Sequence, residues 1–126
     1  MAEDRGGTIV VVDDDPAFLE LLETLLGSEN YRVITHQHGH AAFELVKATL
    51  PDLLILDWWL ADAAGEDVLA LLASDHTTAR VPVLICSAAL PSRQAIPAPL
   101  GQPTYEILLK PFEIETLLQA VRRLTG

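Results

Sequence analysis

The chain has 126 residues and a mass of 13.7 kDa, which suits one domain with one hydrophobic core. Half of its residues are apolar and 21% are charged, a composition that argues against an intrinsically disordered chain. Eighteen acidic residues against eight basic ones give a net charge of −10, which argues against nonspecific nucleic-acid binding through this chain.

The sequence shows no signal for secretion or membrane insertion. Its first residues lack a basic segment followed by an apolar stretch, and no apolar run approaches the roughly 20 residues that cross a bilayer. Cys86 is the one cysteine, which excludes an internal disulfide and fits a reducing compartment. We therefore expect a cytoplasmic protein with no membrane partner.

Apolar runs typical of buried strands alternate along the chain with segments of helical periodicity. The predicted strands are residues 8–12, 31–35, 53–56, 81–86 and 105–109. The predicted helices are residues 16–27, 39–48, 65–73 and 113–124. Asp15 is a suitable N-cap for the first helix, and Pro16 is a suitable first helical residue.

Prolines interrupt the segment between the fourth and fifth strands, at positions 91, 97, 99 and 103. Because a proline inside a helix costs about 3 kcal/mol, we expect at most a short helix there, at residues 92–96. Apolar strands separated by helices indicate a parallel sheet with both faces covered. The sequence predicts a single doubly wound α/β domain over residues 1–126, with its core at about 8–124 and its fourth helix short or irregular.

Chemically active residues stand at the carboxyl ends of the predicted strands, where ligands collect in such a sheet. The first strand ends at Asp13 and Asp14, the third at Asp57, the fourth at Ser87 and the fifth at Lys110. Three carboxylates so close together repel one another, and a divalent cation relieves that repulsion. Mg²⁺ favours such oxygen ligands, and the lysine would then suit an anion carried by one of the aspartates.

With these motifs the sequence resembles the receiver domain of two-component response regulators. The matching pieces are VVDDDP at 11–16, LILD at 54–57 with glycine at 65, serine-alanine at 87–88, and KPF at 110–112. Each motif alone is weak, but all four occur in order, each at a strand end, across essentially the whole chain. The resemblance implies a flavodoxin-like sheet of five strands in the order 2-1-3-4-5.

The resemblance also implies the site residues. Asp57 is the expected phosphoacceptor, which receives a phosphoryl group from a phosphohistidine. Asp13, Asp14, Asp57 and the backbone carbonyl of Trp59 are the expected ligands of Mg²⁺ (or Mn²⁺). In-line phosphoryl transfer depends on charge neutralisation and positioning, which a metal ion and a lysine provide.

Two further residues are expected to contact the phosphoryl group. Lys110 would pair with its oxygens, and Ser87 would move to donate a hydrogen bond to them. The Lys110–Pro111 bond is expected to be cis, as in similar domains. Asp15 is read as an N-cap, although it could instead assist the metal through water.

One departure from the family pattern concerns its conformational switch. Similar domains carry a tyrosine or phenylalanine three residues before the lysine, where this chain has Ile107. Tyr105 lies two residues earlier, on the same side of the strand. Either Tyr105 substitutes or the aromatic switch is missing, so the family's usual output face is in doubt.

Two more departures follow the acceptor. Leu60 and Ala61 replace the usual Met-Pro pair, which loosens the loop without removing a catalytic group. Trp59 stands beside the expected path of an attacking water, and Ala89 occupies the corresponding position after Ser87. We expect the indole to slow loss of phosphate from Asp57.

Histidines at 36, 38 and 40 invite a zinc interpretation. The run crosses a turn at Gly39 and has no cysteine or clear fourth ligand, so surface or pH-responsive histidines are favoured. Cys86 lies within an apolar strand and is expected to be a buried small hydrophobe.

The function expected from the resemblance is that of a phosphorelay receiver, which is not an enzyme beyond catalysing its own phosphorylation and dephosphorylation. Its partners would be a histidine kinase or phosphotransfer protein and an unknown protein effector, with a homodimer possible through the last helix. The main alternative is a phosphorylation-independent pseudo-receiver that acts as a constitutive interaction module. A Mg²⁺-dependent phosphatase with an aspartyl intermediate is disfavoured, because Trp59 occupies the position of its second acid.

Overall fold

A computed structural model describes residues 7–60, 65–89 and 105–126. The five strands are Thr8–Val12 (β1), Arg32–His36 (β2), Leu53–Leu56 (β3), Val83–Ser87 (β4) and Tyr105–Leu109 (β5). The α-helices in these ranges are Pro16–Gly27 (α1), Ala42–Thr49 (α2), Gly65–Ser74 (α3) and Ile114–Thr125 (α4). None of the described helices is long and apolar enough to cross a bilayer.

The strands form one parallel sheet in the order β2-β1-β3-β4-β5. This is the predicted doubly wound topology, with the reversal of strand order at β1 and β3. In register, Val12 pairs with Leu56, so the residues that follow β1 and β3 emerge side by side. The fold therefore presents the predicted aspartates at one edge of the sheet.

Alternate residues of each strand face two separate cores. On one face Val10, Val12 and Ile85 pack among residues of α2 and α3. On the other, Ile9 and Val11 pack among residues of α1 and α4. Helices cover both faces of the sheet, which explains why the central strands β1, β3 and β4 are buried and almost entirely apolar.

Local chemistry accounts for where several elements begin. The Asp15 side chain accepts a hydrogen bond from the Ala17 backbone N–H at 3.0 Å, so the predicted N-cap is confirmed. The predicted second helix starts as a 3₁₀ turn, Gly39–Ala41, and His38 before it supplies no side-chain cap. The fourth strand starts at Val83 instead of 81, since a proline at 82 has no N–H for the ladder.

A close approach fixes the start of α3. The Gly65 N–H donates to the Trp58 carbonyl at 2.9 Å, and a Cβ at this glycine would lie 2.7 Å from the Trp58 ring. Trp58 is 3% exposed and belongs to the core beneath α2 and α3. The short helix expected at residues 92–96 and the loop residue Ala61 lie outside the described residues.

Candidate functional site

The carboxyl edge of the sheet brings the predicted site residues together. Asp13 and Asp14 follow β1, and Asp57 follows β3. The Asp57 N–H donates to the Val12 carbonyl at 3.1 Å, which ties the two strand ends together. Each of the three aspartates has a carboxylate oxygen within 4.8 Å of those of the other two.

The three carboxylates differ in burial. Asp13 is 1% exposed and Asp57 is 9% exposed, whereas Asp14 is open to solvent. Burial raises the pKa of the Asp57 carboxyl, and the neighbouring charge of Asp13 raises it further. The Trp59 backbone N–H, which donates to Asp57 Oδ1 at 3.2 Å, acts in the opposite direction. The carboxylate oxygens of the three aspartates lie close together, and their negative charges repel one another. Such a group of oxygen ligands suits a hard divalent cation such as Mg²⁺.

Lys110 lies at the same edge and pairs with Asp13. Its Nζ is 2.7 Å from Asp13 Oδ2, and the two side chains are 21% and 2% exposed. The other Asp13 oxygen accepts the Asp15 backbone N–H at 2.9 Å. Asp13 is therefore held from both sides. The Lys110–Pro111 bond is cis, as predicted.

Ser87 is the last residue of β4 and is fully buried. Its backbone carbonyl accepts the Lys110 N–H at 2.8 Å, which joins the ends of β4 and β5. Its Oγ has no hydrogen-bond partner among the residues that the structure describes. A buried hydroxyl left unpaired costs free energy, so a group that could accept its hydrogen bond would be favoured here.

Trp59 crosses the gap between the ends of β3 and β4. Its indole Nε1–H donates to the Ala89 carbonyl at 3.1 Å, and 55% of the residue is exposed. The sequence indicated that Trp59 and Ala89 occupy corresponding positions after Asp57 and Ser87, but it did not predict this hydrogen bond. It also did not predict the contact of the Lys110 ammonium with the Phe18 ring, 4.0 Å from its centroid.

Tyr105 and Ile107 both pack, partly buried, against the core beneath α2 and α3. They share one face of β5, as the two-residue spacing predicts. Cys86 faces the other core and is fully buried, and burial raises the pKa of its thiol to about 12. Its predicted character as a buried small hydrophobe is confirmed.

The histidine run does not assemble a three-ligand site. His36 and His38 lie with ring centroids 5.7 Å apart, and His38 and His40 lie 5.8 Å apart. His36 Nδ1 accepts the His38 backbone N–H at 3.1 Å, so that nitrogen is engaged. Within the described ranges, only the three aspartates have potential ligand atoms close enough together for one metal ion.

Comparison with known proteins shows the family to which this chain belongs. The model of the response regulator receiver domain family matches residues 9–122. The probable transcriptional regulatory protein TcrX of Mycobacterium tuberculosis is 32% identical over 99% of this chain and 53% of its own length. The response regulator PleD of Caulobacter vibrioides is 35% identical over 93% of this chain and 26% of its own length. The chain thus spans about half or less of these relatives.

A solved structure shares the fold. It is the receiver domain of the sensor histidine kinase PA1611 from Pseudomonas aeruginosa, which carries a magnesium ion coordinated in its active site cleft. The TM-score is 0.82 at 25% identity, over 96% of this chain and 98% of the other.

Proposed function

This chain belongs to the family of response regulator receiver domains, and we propose that it is the phosphoacceptor of a two-component phosphorelay. The observation that carries the proposal is the group formed by Asp13, Asp14, Asp57 and Lys110 at one edge of the sheet. It combines a nucleophilic carboxylate, a set of cation ligands and an ammonium for an incoming anion.

Asp57 is the proposed acceptor of the phosphoryl group. One of its carboxylate oxygens forms a bond to phosphorus while the phosphorus–nitrogen bond of a phosphohistidine breaks. The leaving imidazole nitrogen keeps the electron pair of that bond and takes up a proton from water. A bound Mg²⁺ or Mn²⁺ would supply charge neutralisation for this transfer.

The remaining side chains position charge and hydrogen bonds. Asp13, Asp14, Asp57 and the Trp59 carbonyl would hold the cation. Lys110 would turn from Asp13 towards the phosphoryl oxygens, a short movement because its ammonium already lies at this edge. The proposed role of Ser87 is supported by its buried hydroxyl, which has no partner within residues 7–60, 65–89 and 105–126 and which a phosphoryl oxygen would satisfy.

Phosphorylation would act by changing protein contacts. We propose a histidine kinase or phosphotransfer protein as donor and a protein effector as reader, in the cytoplasm, with no nucleic-acid contact through this chain. A homodimer through the last helix is a further possibility. The chain would be no enzyme beyond its own phosphorylation and dephosphorylation.

The alternative, a constitutive pseudo-receiver, is favoured by Ile107 at the usual position of the switch aromatic. It predicts the same partner binding with and without phosphate. The intact acidic group argues against it.

Phosphoramidate tests the proposal, because it offers the same phosphorus–nitrogen bond as phosphohistidine. With Mg²⁺, phosphate-affinity gels should show a slower-migrating form of the wild type and of Asp67→Asn, a control on the exposed face of α3. Asp57→Asn should show none. A shifted band that persists in Asp57→Asn would contradict the assignment of the acceptor.

A further inference from the structure

We propose that Phe18 is a positioning residue for phosphoryl transfer, because the face of its ring holds the Lys110 ammonium at the site. The inference rests on the proposed function and adds a residue that the family motifs do not contain. Phe18 lies in the first turn of α1, 92 positions from the lysine, and its place in the helical pattern indicates only that it faces inward.

The ammonium has two contacts of different kinds. Lys110 Nζ lies 2.7 Å from Asp13 Oδ2 and 4.0 Å from the Phe18 ring centroid. A cation at this distance over an aromatic face is attracted by the ring's quadrupole, more strongly where water is partly excluded. The Lys110 side chain is 21% exposed, so water is excluded from most of its surface.

The ring itself is held in place. Phe18 meets the Phe112 ring edge to face, with centroids 6.1 Å apart and planes at 75°. Both rings pack against the core beneath α1 and α4. The surface that carries the ammonium is therefore fixed by α1 on one side and by the segment after β5 on the other.

The two contacts behave differently during the proposed reaction. Asp13 would bind the metal ion, and its carboxylate would then hold the ammonium less strongly. The Phe18 ring carries no net charge, so it retains the ammonium without neutralising it. Lys110 would thereby stay at the edge with its full charge available to the phosphoryl oxygens. A flexible lysine without that contact would sample solvent and lose rotamer order.

A purely structural role for Phe18 makes a different prediction. The ring is partly buried and borders an open cavity of about 400 Å³, shared with Leu21 and Lys110. If Phe18 only filled space, a leucine or methionine of similar volume would serve equally well. If it holds the ammonium, only another aromatic residue would do so.

The test compares Phe18→Leu and Phe18→Met with Phe18→Tyr. In the wild type the ring face should move the Lys110 ε-proton resonances upfield, and the tyrosine variant should keep that shift. Leucine and methionine should abolish it. With phosphoramidate and saturating Mg²⁺, we expect both aliphatic variants to be phosphorylated about fivefold more slowly, equivalent to about 1 kcal/mol at 1.36 kcal/mol per tenfold. The tyrosine variant should stay within twofold of the wild type.

A double-mutant cycle separates this role from general damage. In a Lys110→Met background, Phe18→Leu should cause no further loss of rate, because the ammonium is already gone. Equal rates for Phe18→Leu, Phe18→Met and wild type would overturn the inference, as would equal slowing by leucine and tyrosine. An unphosphorylated wild type would instead refute the proposed function, and the resonance shift would still report the contact.

Discussion

If Asp57 is phosphorylated as proposed, replacing Trp59 should shorten the lifetime of its phosphoryl group. The indole crosses from the end of β3 to the loop after β4 and is fastened there by its hydrogen bond to the Ala89 carbonyl. We expect the ring in that position to hinder the approach of a water molecule to the Asp57 carboxylate. Trp59→Asn removes the ring, and Trp59→Phe keeps an apolar ring but removes the Nε1–H donor.

The size of the effect follows from the strength of that hydrogen bond. A neutral hydrogen bond contributes about 0.5–1.5 kcal/mol net. We assume that water attacks only in molecules whose indole has moved away from Asp57. Losing the hydrogen bond from the indole to Ala89 then raises the fraction of such molecules by roughly two- to twelvefold, at 1.36 kcal/mol per tenfold. Trp59 is 55% exposed, so we expect Trp59→Phe near the lower end of this range. Trp59→Asn removes the ring as well as the hydrogen bond, so its effect should reach or exceed the upper end.

The assay follows phosphate loss after the small donor is removed, by quantifying the phosphorylated band over time. Leu71→Asn provides a control, because it also replaces an exposed apolar side chain with asparagine, but on α3. Its phosphate lifetime should equal that of the wild type. Unchanged lifetimes in both Trp59 variants would refute the reasoning, and so would longer ones.

Three further predictions concern stability and its dependence on pH. Because burial and neighbouring carboxylates raise the pKa of Asp57 above its usual 3.8, its ionisation opposes folding of the metal-free protein. Metal-free Asp57→Asn should therefore be more stable than the wild type at neutral pH, and this difference in stability should shrink as the pH falls towards 3.8. Urea unfolding at several pH values measures the difference. A difference that does not change with pH would contradict the prediction. Gly65→Ala should cost about 1–3 kcal/mol, since its Cβ would lie 2.7 Å from the Trp58 ring. In Gly27→Ala the added Cβ would meet no atom within 4 Å, so this variant should instead stabilise α1 by about 0.5–1 kcal/mol. Equal urea midpoints for the two variants would contradict this explanation. Lys110→Met should lower the free energy of unfolding by about 1–3 kcal/mol, because its buried carboxylate partner loses the ion pair; calorimetry showing wild-type stability would contradict this.

Much of the site could be predicted because a parallel sheet converts order along the chain into proximity. Asp13, Asp57, Ser87 and Lys110 each stand at the end of an apolar run, and the carboxyl ends of parallel strands share one edge. The structure brings all four to that edge.

What the sequence could not predict are contacts between side chains far apart in the chain. Periodicity places Phe18 on the inward side of α1, but it does not show that its ring lies under an ammonium. Similarly, the sequence places Trp59 two residues after Asp57 and Ala89 two residues after Ser87, yet the hydrogen bond between them depends on the indole rotamer. Element boundaries also moved: the second α-helix starts three residues later than predicted, at Ala42, and the fourth strand two residues later, at Val83.

The most direct test of the central claim is the intact mass of the protein after incubation with acetyl phosphate and Mg²⁺. The account predicts a gain of one phosphoryl group in the wild type, and no gain in Asp57→Asn or without the metal. An unmodified wild type that also fails to bind Mg²⁺ would contradict the account and leave the pseudo-receiver as the better explanation.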